Sequence, residues 1–146
     1  MNDENKFFEL KNFEALPLCA VKTYPWDELR TELLQFRNLL RPLTIVALPQ
    51  TDGLLKTFFI TCNDLSSTFR IFVTEFPSGG QYDSLSSEWK AWSNCEREFY
   101  EEFGVTPLHH PWLKPLRYPF YRANKNNKVA DYPFFKLSGA AAHEVG

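Results

Sequence analysis

Between Ser93 and Gly104 the chain reads "SNCEREFYEEFG", four glutamates, Glu96, Glu98, Glu101 and Glu102, around a single arginine, Arg97. Two carboxylates facing each other across a cleft, with pKa values pushed apart, can act as general acid and base. Helical geometry tests that possibility. At roughly 100° per residue, with Phe99 as zero, Trp92, Cys95, Phe99 and Phe103 fall within about 40° of one line and form the stripe expected to be buried. Glu96 and Glu102 then flank the stripe at about 60° on either side, while Arg97 and Glu101 point almost directly away. The carboxylates fan around one helix, so an acid/base site needs a group from another segment. The other two readings are a solvated face with an Arg97–Glu101 pair four residues apart, and a recognition surface on which the Arg97 fork meets a partner.

His109 and His110 stand side by side before Pro111. Neighbouring side chains in extended chain point in opposite directions, and no Cys, Asp or third His lies at ligand spacing, which argues against a metal site. A single histidine bonded to backbone at a tight turn is expected instead. No GxSxG, P-loop or GxGxxG is present, so nothing suggests a nucleophile elbow, nucleotide or dinucleotide binding. Cys95 reads as a small core residue. The enzymatic alternative is a small soluble hydrolase using Glu98 or Glu101 with His110.

The elements that position these residues follow from periodicity. "LPLCAVKTY", 16–24, alternates as a short strand. Pro25 suits the first turn of a helix whose stripe is Trp26, Leu29, Leu33, Phe36 and Leu40, ending before Pro42. Runs at 43–49, 54–62 and 67–76, separated by "QTDG" and "NDLS", predict a meander of three antiparallel strands. A second helical region covers 85–103, with Ser93 and Glu96 spaced as a capping box and Gly104 closing it in the left-handed conformation. Pro107, Pro111, Pro115 and Pro119 then exclude regular helix or central strand and predict an extended aromatic arm, which either folds over the domain's own sheet or drapes a partner. "DYPFFKL", 131–137, could return as an edge strand. The expected fold class is α+β: a two-layer sandwich with a mixed, mostly antiparallel sheet of four to five strands, helices on one face and a proline-rich C-terminal arm.

Composition narrows the function. One core fits the 146 residues, of which 44% are hydrophobic and 16% aromatic, with 14 Phe and 4 Trp; such a core needs no metal or disulfide to hold it. A net charge of −2 supplies no basic stripe for nucleic acid or anionic lipid. Three scattered cysteines without a CxxC point to a reducing, cytoplasmic setting. "MNDENKFFEL" lacks a signal-peptide pattern, and no run approaches the roughly 20 apolar residues of a membrane span. Membrane contact is expected only through partners.

The order of residues resembles the C subunit of respiratory complex I and the equivalent domain of membrane-bound nickel-iron hydrogenases. That family carries "W-x-E-R-E-x-x-D-x-F-G-[IV]" at a helix end, followed by "G-H-P-D-L-R". Glu96, Arg97 and Glu98 match the E-R-E; Glu101 replaces the aspartate; Phe103, Gly104 and Val105 match the helix close; His110 and Pro111 match the His-Pro. "LKPL", with Leu113 and Lys114, is similar to the hydrogenase "LRPL". Asn94, Cys95, Trp112 and Lys114 depart from the pattern. The resemblance covers roughly residues 16 to 119. "FKLSGAAAHEVG", 135–146, is similar to the start of the large-subunit domain in hydrogenases of the formate hydrogenlyase type. That divides the chain into a domain like the complex I C subunit at 1–137 and the start of a truncated large-subunit domain at 138–146.

The resemblance implies a non-catalytic structural and docking domain, either at the N-terminus of a nickel-iron hydrogenase large subunit or as the standalone C subunit of an NADH-quinone oxidoreductase. It implies a peripheral location at the inner membrane, reached through partner subunits. The chain itself would hold no cofactor and perform no turnover. The nickel-iron centre and iron-sulfur clusters would belong to its partners, the catalytic domain of the large subunit and an iron-sulfur subunit, and the signature residues would form the interface.

Overall fold

A computed structural model describes residues 5–116. It is α+β, in the order β1 (Phe8–Lys11), α1 (Trp26–Gln35), β2 (Arg41–Pro49), β3 (Leu54–Asn63), β4 (Thr68–Pro77), β5 (Gln81–Asp83), α2 (Ser93–Phe103) and β6 (Thr106–Leu108). The main sheet is wholly antiparallel with strand order β1-β4-β3-β2. A separate parallel pair, β5 with β6, aligns Tyr82 with Pro107. The edge strand expected at 131–137, the arm beyond Leu116 and the domain boundary after 137 lie outside the described residues.

The meander forms where alternation and turn residues place it. Phe59 lies opposite Ile45 on one side and Phe72 on the other, and all three belong to the buried core. Leu29 and Leu33 of α1 and Phe99 of α2 join the same core, so both helices cover one face of the sheet. The aromatic content concentrates there. Trp26 stacks on Phe59 at 4.8 Å, Phe76 on Tyr82 at 4.8 Å, and Trp92 meets Phe59 edge-on at 5.7 Å. Burying a side chain such as Phe59 contributes about 1.5–3 kcal/mol. Threonines that point into this layer bond to backbone carbonyls, Thr61 to Arg70 at 2.8 Å and Thr74 to Tyr24 at 2.8 Å. Both hydroxyls therefore keep a partner despite their burial.

Two expectations about the elements are corrected. Residues 16–24 form no strand: a single 3-10 turn covers Leu18–Ala20, and the segment meets the sheet at its end, where the Tyr24 amide bonds to the Val73 carbonyl and the Thr23 hydroxyl to Glu75. The N-terminal strand is instead β1, which takes the β4 edge through Phe8 opposite Ile71 and Leu10 opposite Phe69. Alternation marks a segment able to be a strand, but edge pairing goes to whichever segment the chain path brings alongside. α1 also stops at Gln35; beyond it Leu39 and Leu40 both donate to the Phe36 carbonyl, which still delivers Leu40 to the core.

The second face of the sheet carries its own apolar rows. Because side chains alternate across a strand, neighbours of the core residues point away from the helices. They align as Leu10–Phe69–Cys62–Arg41, Phe8–Ile71–Ile60–Thr44 and Val73–Phe58–Val46, with Cys62 and Val73 buried. The next row is Glu75–Lys56–Leu48. None of these residues belongs to the helix-side core.

Candidate functional site

α2 is where the charged residues gather. Trp92 and Phe99 are buried, and Cys95 and Phe103 pack against the core, as the helical stripe requires. Gly104 closes the helix at φ 71° and donates its amide to the Tyr100 carbonyl. A left-handed residue with a Cβ costs roughly 1–2 kcal/mol, which accounts for glycine there.

Glu96 is fully buried. Its carboxylate accepts the amides of Leu85 at 3.0 Å and Ser86 at 2.9 Å, together with the Ser86 hydroxyl. A buried carboxylate survives only where its oxygens find donors, and here the 84–86 turn supplies them. The capping box is therefore not formed: Ser93 is the first helical residue, with no side-chain cap, and Glu96 reaches to a neighbouring segment. From the other side, Arg30 of α1 donates twice to the Ser84 carbonyl at 3.1 Å and pairs with Glu88 at 3.1 Å. The 84–88 turn is thus fastened to both helices. Tyr82 lies behind Glu96; burial first, then the carboxylate's charge, pushes its hydroxyl well above the ordinary range.

Arg97 and Glu101, expected to face solvent or a partner, are buried, Arg97 to 8% exposure. Residues 109–116 cross the outer side of α2 as a strap and cover them. Arg97 donates to the carbonyls of Lys114 at 2.7 Å and Pro115 at 2.8 Å and to Asn94 Oδ1 at 3.1 Å. Its guanidinium also sits 4.8 Å from the centre of the Trp112 ring. Glu101 accepts the Leu116 amide at 2.6 Å. Helical angles correctly aimed both side chains away from the sheet; what they meet there is this chain's own backbone. A proline-bearing strap offers carbonyls and few amides, which suits an arginine fork.

His110 fastens the near end of the strap. Its Nδ1 accepts the Trp112 amide at 3.0 Å, so Nε2 carries the hydrogen and donates to the Ser93 carbonyl at 3.1 Å. The imidazole is a backbone clamp at a turn, as its sequence context suggests, and His109 beside it adopts φ 63°. With its acceptor nitrogen occupied, His110 is not placed to take a proton from Ser93, whose hydroxyl lies 3.3 Å from Nε2. Of the remaining signature positions, Glu98 and Leu113 are half-buried, and Pro111 and Lys114 are exposed. The Lys114 ammonium lies 5.3 Å from the Trp112 ring. Burial, then the charges of Glu98 and Glu96, raises the Cys95 thiol to about 11, the opposite of what a nucleophile needs. Among the described residues no three His, Cys, Asp or Glu side chains gather as a metal site, and no helix is long and apolar enough to cross a membrane.

Sequence reasoning missed the surface that stands out most. Phe13 is 99% exposed and Leu65 89% exposed. They share one end of the sheet, because Lys11 is opposite Thr68, so the turn after β1 and the hairpin before β4 lie side by side. Phe13 holds φ 68° in a turn closed by Glu14, whose amide bonds to the Lys11 carbonyl at 3.1 Å while its carboxylate accepts the Lys11 amide at 2.9 Å. A bulky residue at positive φ is uncommon, and strain of this kind concentrates at functional positions. The only sequence signal was a phenylalanine in an otherwise polar "KNFE".

No protein-family model matches the chain. No curated protein matches it either.

Proposed function

We propose that this chain is a non-catalytic docking domain of a multisubunit, membrane-associated redox complex, the N-terminal part of a nickel-iron hydrogenase large subunit of the formate hydrogenlyase type. The observation that carries the reading is the use made of the signature residues. Glu96, Arg97, Glu101 and His110 all bind backbone groups of neighbouring segments, which is how a structural motif, and not an acid/base site, employs charge. The hydrolase alternative loses support for the same reason, since Glu101 and His110 are both engaged. Docking falls to Phe13 and Leu65, the two most exposed large apolar side chains among the described residues, on adjoining turns at one end of the sheet. In this reading metals and turnover reside in the partner large-subunit domain and the iron-sulfur subunit.

The test is co-expression with the catalytic domain of a nickel-iron large subunit and its iron-sulfur subunit. The wild-type chain is expected to co-purify with both, and the Phe13→Ser, Leu65→Ser double variant to lose at least about tenfold in affinity, as removal of two anchors at ~1–2 kcal/mol each requires, with an unchanged circular dichroism spectrum. No complex with the wild type, or an undiminished one with the variant, refutes it. The reading frame beyond codon 146 separates the fused form, with CxxC pairs to follow, from a standalone C subunit.

A further inference from the structure

Arg70 is a cation that the fold holds in place and leaves without a hydrogen bond from its side chain. Its guanidinium lies between two phenyl rings that pack against the helix-side core, 4.5 Å from the centre of Phe7 and 4.9 Å from that of Phe36. The side chain keeps only 16% exposure. The carboxylate beside it, Glu9, brings Oε1 to 3.8 Å from Nε, too far for a hydrogen bond, and that oxygen accepts the Thr68 hydroxyl at 2.9 Å instead. Nε is buried without a partner, while Nη1 and Nη2, equally unbonded among the described residues, reach the surface. None of the N–H donors that an arginine carries is therefore committed. Arg30 and Arg97 differ, since each spends its fork on backbone carbonyls.

We propose that Arg70 is a binding site for a carboxylate, presented by an aspartate or glutamate of the protein that docks at Phe13 and Leu65; the inference rests on that docking reading. Position favours it. Arg70 stands opposite Glu9, two residues along β4 from the Thr68–Lys11 pair where both exposed turns begin, a distance of about 7 Å. The chemistry favours it as well. Contact with both ring faces fixes the plane of the guanidinium, so little freedom is left to lose when a ligand arrives. Glu9 occupies the Nε side, which directs a ligand to the outer fork of Nη1 and Nη2, whose parallel N–H bonds match the two oxygens of a carboxylate. The same Glu9 selects the class of anion. Repulsion grows with the ligand's charge, so a neighbouring carboxylate opposes a doubly charged phosphate twice as strongly as a singly charged carboxylate. An arginine of this kind, held rigid at the edge of a docking surface, belongs to the residue types that dominate interface energetics.

The experiment follows the Arg70 Nε–H signal of the full chain by nuclear magnetic resonance during titration with acetate, with chloride at the same ionic strength as the control. A saturable shift is expected with acetate and not with chloride. Equal shifts overturn the site, whatever docks at Phe13 and Leu65, and phosphate binding more tightly than acetate overturns the ligand class. The source of the carboxylate is tested by co-expression with the catalytic domain of the large subunit and the iron-sulfur subunit. Arg70→Lys keeps the charge and loses the fork; it is expected to weaken the complex at least about fivefold, with an unchanged melting temperature. An undiminished complex overturns the proposal and leaves the docking reading standing. No complex with the wild type refutes the docking reading and the partner's carboxylate together, while the acetate titration still decides whether Arg70 binds a carboxylate at all.

Discussion

Glu96 shows how much a single buried carboxylate can organise. With no access to water, it holds the 84–86 turn against α2 by two amides and a hydroxyl. Replacing it with alanine leaves those donors buried and unpaired, at about 1–3 kcal/mol for each stranded group. Glu96→Ala is therefore expected to lower the unfolding free energy by at least about 2 kcal/mol, and Glu96→Gln to recover part of that, since an amide oxygen still accepts. Denaturant titration of the two variants measures the difference; equal stability of Glu96→Ala and wild type contradicts the clamp. From the sequence, Glu96 could be placed at the margin of the buried stripe. Its partners could not, because Leu85 and Ser86 offer main-chain amides, which every residue other than proline possesses.

The strap at 109–116 is an element of another kind, irregular and proline-bearing, held by side chains from the helix beneath it. Arg97 supplies two bonds to its carbonyls, Glu101 one to its last described amide, and His110 ties its first turn to Ser93. Hydrogen bonds from a charged group contribute about 1.5–3 kcal/mol. Arg97→Ala should thus release the strap, with faster hydrogen exchange at Leu116 and a change in Trp112 emission as its cation partner is lost, while β2, β3 and β4 keep their protection. Unchanged exchange at Leu116 rules this out. An arginine facing only a partner would leave the isolated domain undisturbed when removed; one bound to the strap does not. Helical periodicity gives a side chain's direction relative to its own axis, whereas the occupant of that direction comes from a segment more than ten residues away. The meander, in contrast, was legible throughout, because each strand alternates and each turn contains residues that tolerate turn geometry. Strand β1 was hidden because four residues are too few to establish a period.

For the molecule as a whole, two groups in the packed layer between sheet and helices keep their protons more firmly in the fold than outside it. Cys95 rises from 9.0 to about 11, through burial and then the charges of Glu98 and Glu96. Tyr82 moves well above its usual 10.0 by burial and by Glu96. Both are neutral when protonated and have raised folded-state values, so their contribution to stability is complete below the unfolded pKa and lost as the pH rises through the folded one. The melting temperature should hold level from about pH 7 to 9 and fall between 9 and 11; Cys95→Ala should blunt the early part of that fall. A melting temperature that stays level to pH 11, or falls identically in the variant, removes Cys95 from the account. The same burial predicts that alkylation under native conditions reaches exposed Cys19 before Cys62 or Cys95.

By itself the sequence determined the α+β class, the three central strands, the stripes of both helices and the glycine that ends α2, all of them local patterns written in the period of hydrophobic residues. The tertiary structure alone decided that Glu96, Arg97 and Glu101 are buried, that a strap lies over the helix, and that the turns carrying the exposed Phe13 and Leu65 adjoin. Those outcomes depend on which distant segments meet, and the amides and carbonyls through which they meet carry no signature of residue type.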